Sequence, residues 1–355
     1  MHLSIYSETV MKNVCYRHKT FAILLGAIVC AVFSAAAQLP EVKYIDRLGG
    51  ERVPFVRIAQ FQIDIPYTVD KGTQLPVITD VKAHTEKIEK CLATAELNGS
   101  QILVFPELSM AMAKKERSRL LKRLRRYAAE HEAIILAGTF YDNERHGRSV
   151  VIFPDTVYNG YKLRPSIFES SILKGKGMTP ADTMFVFRTR YGNFLPLVCV
   201  DLISDDVNYT VRRLANIGDI DMLITLEYNP ASREFIREAS AIVMRHPVQV
   251  SLTNAAGSKA DAGTSRDEAF GYSALTSSIQ FDQKKLLTDG LPARFKNAQG
   301  EVLDGYENLL SVIEPGTEQA LLYETNLRVS RVPRQTNAPD QGYPIVRNLQ
   351  TVPLQ

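Results

Sequence analysis

Short apolar runs recur from one end of this chain to the other, and they restrict its fold more than any other feature. Gln101–Phe105, Ala133–Gly138, Ser149–Phe153, Phe194–Val200, Met222–Leu226 and Val248–Thr253 are too short for ordinary helices. Continuous apolar runs of that length read as buried strands. Phe55–Ile63 instead alternates apolar and polar residues, the period of a strand with one covered face. Ala274–Phe281 and Ala320–Leu327 complete the strand set.

Helical spacing appears between some of these strands. Val81, His84, Thr85, Ile88, Cys91, Leu92 and Ala95 share one helical face, with Asp80 placed to cap the start and Asn98-Gly99 to stop the helix. Lys114–Glu132 interleaves Arg and Lys with Leu120, Leu121, Leu124, Tyr127 and Ala128, an amphipathic helix whose basic face is solvated. Val207–Asn216 is a third helical stretch. Strands outnumber helices, and neither a repeat nor a composition break divides the chain. The expectation is therefore one α/β domain with its strands in layers. The net charge of +3 is too balanced to argue for nucleic acid, and the basic helix alone does not change that.

The N-terminus has a different character. Lys12, Arg17 and Lys19 precede an uncharged apolar run, Phe21–Phe33, followed by Ser34-Ala-Ala-Ala37. A basic region, an apolar core and small residues at the cleavage positions read as a signal peptide over residues 1–37, which predicts export to the periplasm or medium. The apolar run is short for a retained membrane span, so no stable span is expected after cleavage. Residues 38–53 read as an extended, irregular lead-in, 54–329 as the folded domain and 330–355 as a C-terminal tail. Cleavage leaves Cys91 and Cys199, which is no disulfide framework. Cys91 lies on the apolar face of a helix and reads as packing.

Cys199 is different, because it stands where a buried strand passes into a helix. Backbone N–H groups at such a junction lower a thiol's pKa and strengthen it as a nucleophile. Glu107 follows the strand Gln101–Phe105 in the same way. Lys162 ends the Tyr158–Tyr161 segment, and Glu169 follows it. The histidines show no ligand spacing, and no metal or cofactor is expected.

Taken in order, Phe105-Pro-Glu107, Gly160-Tyr-Lys162-Leu and Leu197-Val-Cys199-Val-Asp201 resemble the three signatures of the nitrilase, or carbon–nitrogen hydrolase, superfamily. Glu169 matches the family's second active-site glutamate. Val56–Gln60, Asn254–Gly257 and Gly271-Tyr-Ser273 support the match, which runs from about Val56 to Leu327. Two departures stand out: Val200 replaces the aromatic that usually follows the cysteine, and Ser240–Met244 retains little of the family's usual helix motif there.

The resemblance implies an α-β-β-α sandwich and a thioester mechanism. Cys199 would be the nucleophile, Glu107 the base and acid, and Lys162 with the Val200 N–H the oxyanion donors. Glu169 would orient Lys162 or the substrate amine. The implied partner is a small amide-type substrate, either a linear amide or a carbamoyl compound, with the protein a homodimer across Val207–Asn216. Two other readings differ in chemistry: an N-acyltransferase that hands the same thioester to an amine, and a binding module that keeps the fold without turnover. Nitrile hydrolysis belongs to a narrower branch. Tyr161, Phe168, Asp201 and Tyr228 are the candidates for the pocket lining.

Overall fold

The computed structural model describes residues 39–166, 169, 177–229, 232–257, 271–278, 308–327 and 344–354. Residues 1–37 and Phe168 therefore lie outside it.

Two seven-stranded mixed sheets are stacked face to face, with helices on their outer faces. The first sheet has the order β16-β15-β2-β5-β6-β7-β8. Its strands are β2 (Val56–Gln62), β5 (Ile102–Val104), β6 (Ile134–Tyr141), β7 (Gly147–Ile152), β8 (Val157–Tyr161), β15 (Gln319–Asn326) and β16 (Ile345–Pro353). The second sheet runs β1-β9-β10-β11-β12-β13-β14. It is built from β1 (Glu41–Asp46), β9 (Thr183–Thr189), β10 (Gly192–Val198), β11 (Met222–Glu227), β12 (Gln249–Asn254), β13 (Ser273–Ser277) and β14 (Leu309–Ile313). A small hairpin, β3 (Tyr67–Val69) and β4 (Pro76–Ile78), lies apart from both.

The burial pattern explains the four layers. Ile58, Ile102, Val104, Ile134 and Leu136 of the first sheet pack against Phe187, Phe194, Ile224 and Leu226 of the second, in one core between the sheets. Alternate residues point the other way. Ala59, Phe61, Leu103, Ile135 and Ala137 meet helices α1 (Val81–Leu97) and α2 (Lys114–Glu130). Leu195, Leu197, Leu223, Val250 and Leu252 meet α3 (Asp205–Asn216) and α4 (Ser232–Arg245). Central strands apolar on both faces are what a parallel sheet covered on both sides requires. The result is the expected α-β-β-α sandwich.

Polar links also cross between the sheets. Ser251 donates to Gln60 Oε1 at 2.8 Å, and Gln62 Oε1 accepts from the Ser273 backbone N–H at 2.8 Å. Helix α1 begins and ends where its sequence predicts. Asp80 accepts from the Ala83 N–H at 2.9 Å, and Gly99 follows the helix with φ of +59°. Among the described residues, no helix is long and apolar enough to cross a membrane.

The ends of the chain correct two expectations. The supposedly irregular lead-in contains β1, which pairs in parallel with β9 from Glu41↔Thr183 to Asp46↔Arg188. The supposed tail contains β16, antiparallel to β15. Both are edge strands with mostly exposed side chains, so neither carries the apolar signal of a buried strand.

Candidate active site

Three of the predicted residues arrive at the cluster from turns that follow strands. Glu107 sits in a tight turn after β5, which is fixed through β6. The Leu108 N–H donates to Thr139 Oγ1 at 3.0 Å, and Met110 N–H to the Thr139 carbonyl at 3.1 Å. His84 of α1 holds the same turn through Nε2, 2.9 Å from the Ser109 carbonyl. Burial drives that imidazole down to about 4, so it stays neutral and structural. Gly138 completes the support: with φ of +89°, it lies where a Cβ would come within 2.4 Å of the Pro106 carbonyl. Only glycine lets β6 pass this close to the turn.

Lys162 follows β8 and is anchored by its own N–H to the Gly147 carbonyl at 2.7 Å. Its Nζ donates to Glu107 Oε1 at 3.0 Å and to Glu169 Oε1. Tyr141 donates to the same Glu169 oxygen at 2.8 Å, while the Ser166 N–H and hydroxyl occupy the other. Glu169 is thereby held in one orientation against Lys162.

Cys199 directly follows β10 and starts a short 3₁₀ turn, Cys199–Ile203, that leads into α3. Its φ is +49°, a left-handed conformation that is strained for a residue with a Cβ. The thiol lies beside the Glu107 carboxylate and favours its ionised form. Cys199, Glu107, Lys162 and Glu169 are all buried, with exposures of 6%, 4%, 2% and 2%.

The electrostatics follow from taking several charges out of water together. Burial pushes Glu107 above the ordinary carboxylate range although Lys162 opposes it. Burial alone would discharge Lys162, but Glu107, the other acids and the thiol hold the ammonium well above its usual value. Glu169 also feels burial, which Lys162 and Ser166 outweigh, keeping it ionised. Cys199 overturns one expectation. Burial raises its thiol well above the ordinary value, and Lys162 only partly compensates. The resting sulfur therefore keeps its proton and can become a thiolate only by passing that proton to a base, and Glu107 is the neighbouring carboxylate.

Asp201 was a candidate for the pocket lining, but the structure gives it another task. Its fully buried carboxylate accepts from Leu163 N–H at 3.0 Å, Arg164 N–H at 2.8 Å and Val198 N–H at 3.3 Å. One side chain thus ties the segment carrying Lys162 to the turn carrying Cys199. Tyr161 packs under Arg148 and against His146, and Tyr228 packs edge-on to Tyr67. Tyr141 and Glu227 escaped the sequence reading. Glu227 had a legible signal: an acid ending an apolar strand, as Glu107 does. Cys91, by contrast, is fully buried in α1, as its helical face predicts. Asp142, Glu144 and His146 lie close enough to share a cation, but Arg148 Nε already sits 2.6 Å from Asp142 Oδ2.

No protein-family model and no curated protein matches this sequence. Solved structures do. Nit3 of Saccharomyces cerevisiae, a member of branch 10 of the nitrilase superfamily, superposes with a TM-score of 0.51 at 14% identity, over 78% of this chain and 92% of that one. XC1258 of Xanthomonas campestris, a CN-hydrolase superfamily protein with an arsenic adduct in its active site, gives 0.50 at 14% identity, over 76% and 89%. The glutamine-dependent NAD+ synthetase of Acinetobacter baumannii gives 0.47 at 14% identity over 76% of this chain, which spans 45% of the synthetase. Identities this low speak for architecture, and that architecture agrees with the order of motifs read from the sequence: the chain has the fold of the nitrilase, or carbon–nitrogen hydrolase, superfamily.

Proposed function

We propose that this chain hydrolyses a non-peptide carbon–nitrogen bond, in a linear amide or a carbamoyl compound, through a thioester on Cys199. The observation that carries this reading is the meeting of thiol, carboxyl and ammonium groups in one buried cluster. Breaking an unstrained amide requires a nucleophile, a proton carrier and charge stabilisation on oxygen, and the cluster contains one group for each.

In the first half-reaction, the Cys199 sulfur bonds to the carbonyl carbon while Glu107 takes the thiol proton. Lys162 and the Val200 N–H stabilise the developing oxyanion. Glu107 then gives the proton to the departing nitrogen as the C–N bond breaks. In the second, Glu107 takes a proton from water, whose oxygen attacks the thioester, and returns it to sulfur as the C–S bond breaks. Glu169 keeps Lys162 oriented and charged. These groups need no metal or cofactor to close the cycle.

The experiment is to express residues 38–355 and expose the protein to amides, carbamoyl compounds and nitriles, following intact mass and released ammonia together. An adduct on Cys199 that turns over with release of ammonia or amine supports the hydrolase, and its mass identifies the acyl group. A stable adduct discharged only by an added amine supports acyl transfer instead.

Two further expectations belong to this reading. Export rests on the signal-like residues 1–37, and N-terminal sequencing of the secreted protein should begin at Gln38; recovery of an intact N-terminus would overturn it. A homodimer rests on exposed apolar residues around α3 and α4, where Tyr209, Ile217 and Met244 are 59%, 56% and 65% accessible. Sedimentation at micromolar concentration should show a dimer, and a chain that stays monomeric rules that assembly out.

A further inference from the structure

The mechanism leaves one buried acid unused. Glu227 is the last residue of β11 and is fully buried. The register pairs Val198 with Leu226 and Glu227 with Asn254, so Glu227 lies beside the strand end that carries Cys199. Among the described residues, no cation pairs with it. The titratable groups acting on it are Glu107, from the turn after β5, and Cys199, from the end of β10. From β12 and α4, the residues around it are the uncharged Ser251, Asn254 and Ser232.

Its hydrogen bonds can accommodate a proton on the acid. Thr225 Oγ1 is 2.7 Å from Glu227 Oε1 and also 3.2 Å from the Ser251 carbonyl. A hydroxyl has one hydrogen and cannot donate to both acceptors at full strength. If Glu227 carries a proton on Oε1, it donates to Thr225, and Thr225 donates onward to Ser251. The other oxygen accepts from Asn229 Nδ2 at 2.8 Å. Asn229 is in turn clamped to Asn254, whose Oδ1 accepts from the Asn229 N–H at 3.1 Å and whose Nδ2 donates to the Asn229 carbonyl at 2.9 Å. Every polar atom of the acid is satisfied in the neutral form. An ionised carboxylate here would be a buried charge with no counterion.

We infer that Glu227 is a positioning residue that the site uses as an uncharged acid, and that its ionisation sets the alkaline limit of Cys199 reactivity. The inference rests on the reading of Cys199 as the nucleophile but not on any particular substrate. On losing its proton, Glu227 pulls the Thr225 hydroxyl away from Ser251. It also adds a further negative charge to the surroundings of Cys199 and Glu107. That charge disfavours the thiolate and holds the proton on Glu107, so the base and the nucleophile are weakened together. Desolvation puts the transition at about 8.

The test uses iodoacetamide on the purified chain, with Cys199 alkylation followed by mass and peptide mapping as pH is raised. It requires no turnover, so it stands or falls separately from the hydrolase reading. In the wild type, the rise of the alkylation rate with pH should level off near pH 8. Glu227→Gln, whose amide supplies both a donor and an acceptor and does not titrate, should remove that levelling. The same levelling in both proteins overturns the inference. So does an uninterrupted rise in the wild type, which decides the matter even if the variant does not fold. Thermal unfolding is a second readout. The folded-state value of Glu227 lies above its unfolded value, so its contribution to stability is complete at low pH and is lost as pH rises through about 8. Glu227→Gln removes that loss. Its unfolding temperature relative to the wild type should therefore increase from acid to alkaline pH, and a constant difference overturns the inference.

Discussion

Cys199→Ala is expected to abolish turnover while leaving the protein folded. Ammonia or amine release in the substrate panel should fall by about 10⁴-fold or more, because the covalent route disappears with the nucleophile. No mass adduct should form with any compound that labels the wild type. The fold should survive for a local reason: the substitution removes one sulfur from a buried position without leaving a charge behind, and alanine keeps the Cβ that the φ of +49° already accommodates. Release that continues at the wild-type rate would remove Cys199 from the mechanism and the thioester with it.

Lys162→Met is expected to damage both catalysis and stability, which separates it from the cysteine variant. Loss of one oxyanion donor typically lowers the rate by about 100- to 1,000-fold. The structural effect is larger than for Cys199→Ala because Lys162 is the cation facing both Glu107 and Glu169. Removing one partner from a buried ion pair usually costs about 3–5 kcal/mol, since the charge left behind is neither solvated nor paired. The sign of the pH dependence follows from Glu169. In the wild type its folded-state value lies below its unfolded one, so its contribution is present above the ordinary carboxylate range and is lost as pH falls through the folded value. Without Lys162, burial raises both acids, and their cost grows as pH rises. The deficit in unfolding temperature should therefore be largest in neutral and alkaline buffer and shrink in acid, where both carboxyls are protonated. A deficit independent of pH would mean that Lys162 acts only through packing.

These expectations depend on how tightly the cluster is built. Glu107 is supported by Thr139, His84 and the missing side chain of Gly138, and Lys162 by Gly147. Asp201 then joins the Lys162 and Cys199 segments directly. Catalytic geometry of this kind is more precise when each group is locked by neighbours on rigid elements.

The apolar runs by themselves determined the layered α/β architecture, because strands covered on both faces must be apolar on both faces, and that pattern is local. Glu107 and Cys199 were legible for the same reason, since strand ends are visible wherever a buried run stops. Lys162 follows the partly exposed β8 and was legible only through its resemblance to a family motif. The edge strands β1 and β16 were not, since their exposed side chains carry no periodic apolar signal and only backbone pairing makes them strands. Nor were the protonation states. At a strand-to-helix turn, the sequence predicts a thiol of lowered pKa, but the tertiary structure buries Cys199 among acids and raises it. The place of Glu227 at the end of an apolar run was legible, but its role and that of Asp201 were not. Burial, a single shared hydroxyl hydrogen and the backbone N–H groups of a distant segment give them their roles, and those are set by residues far apart in the chain.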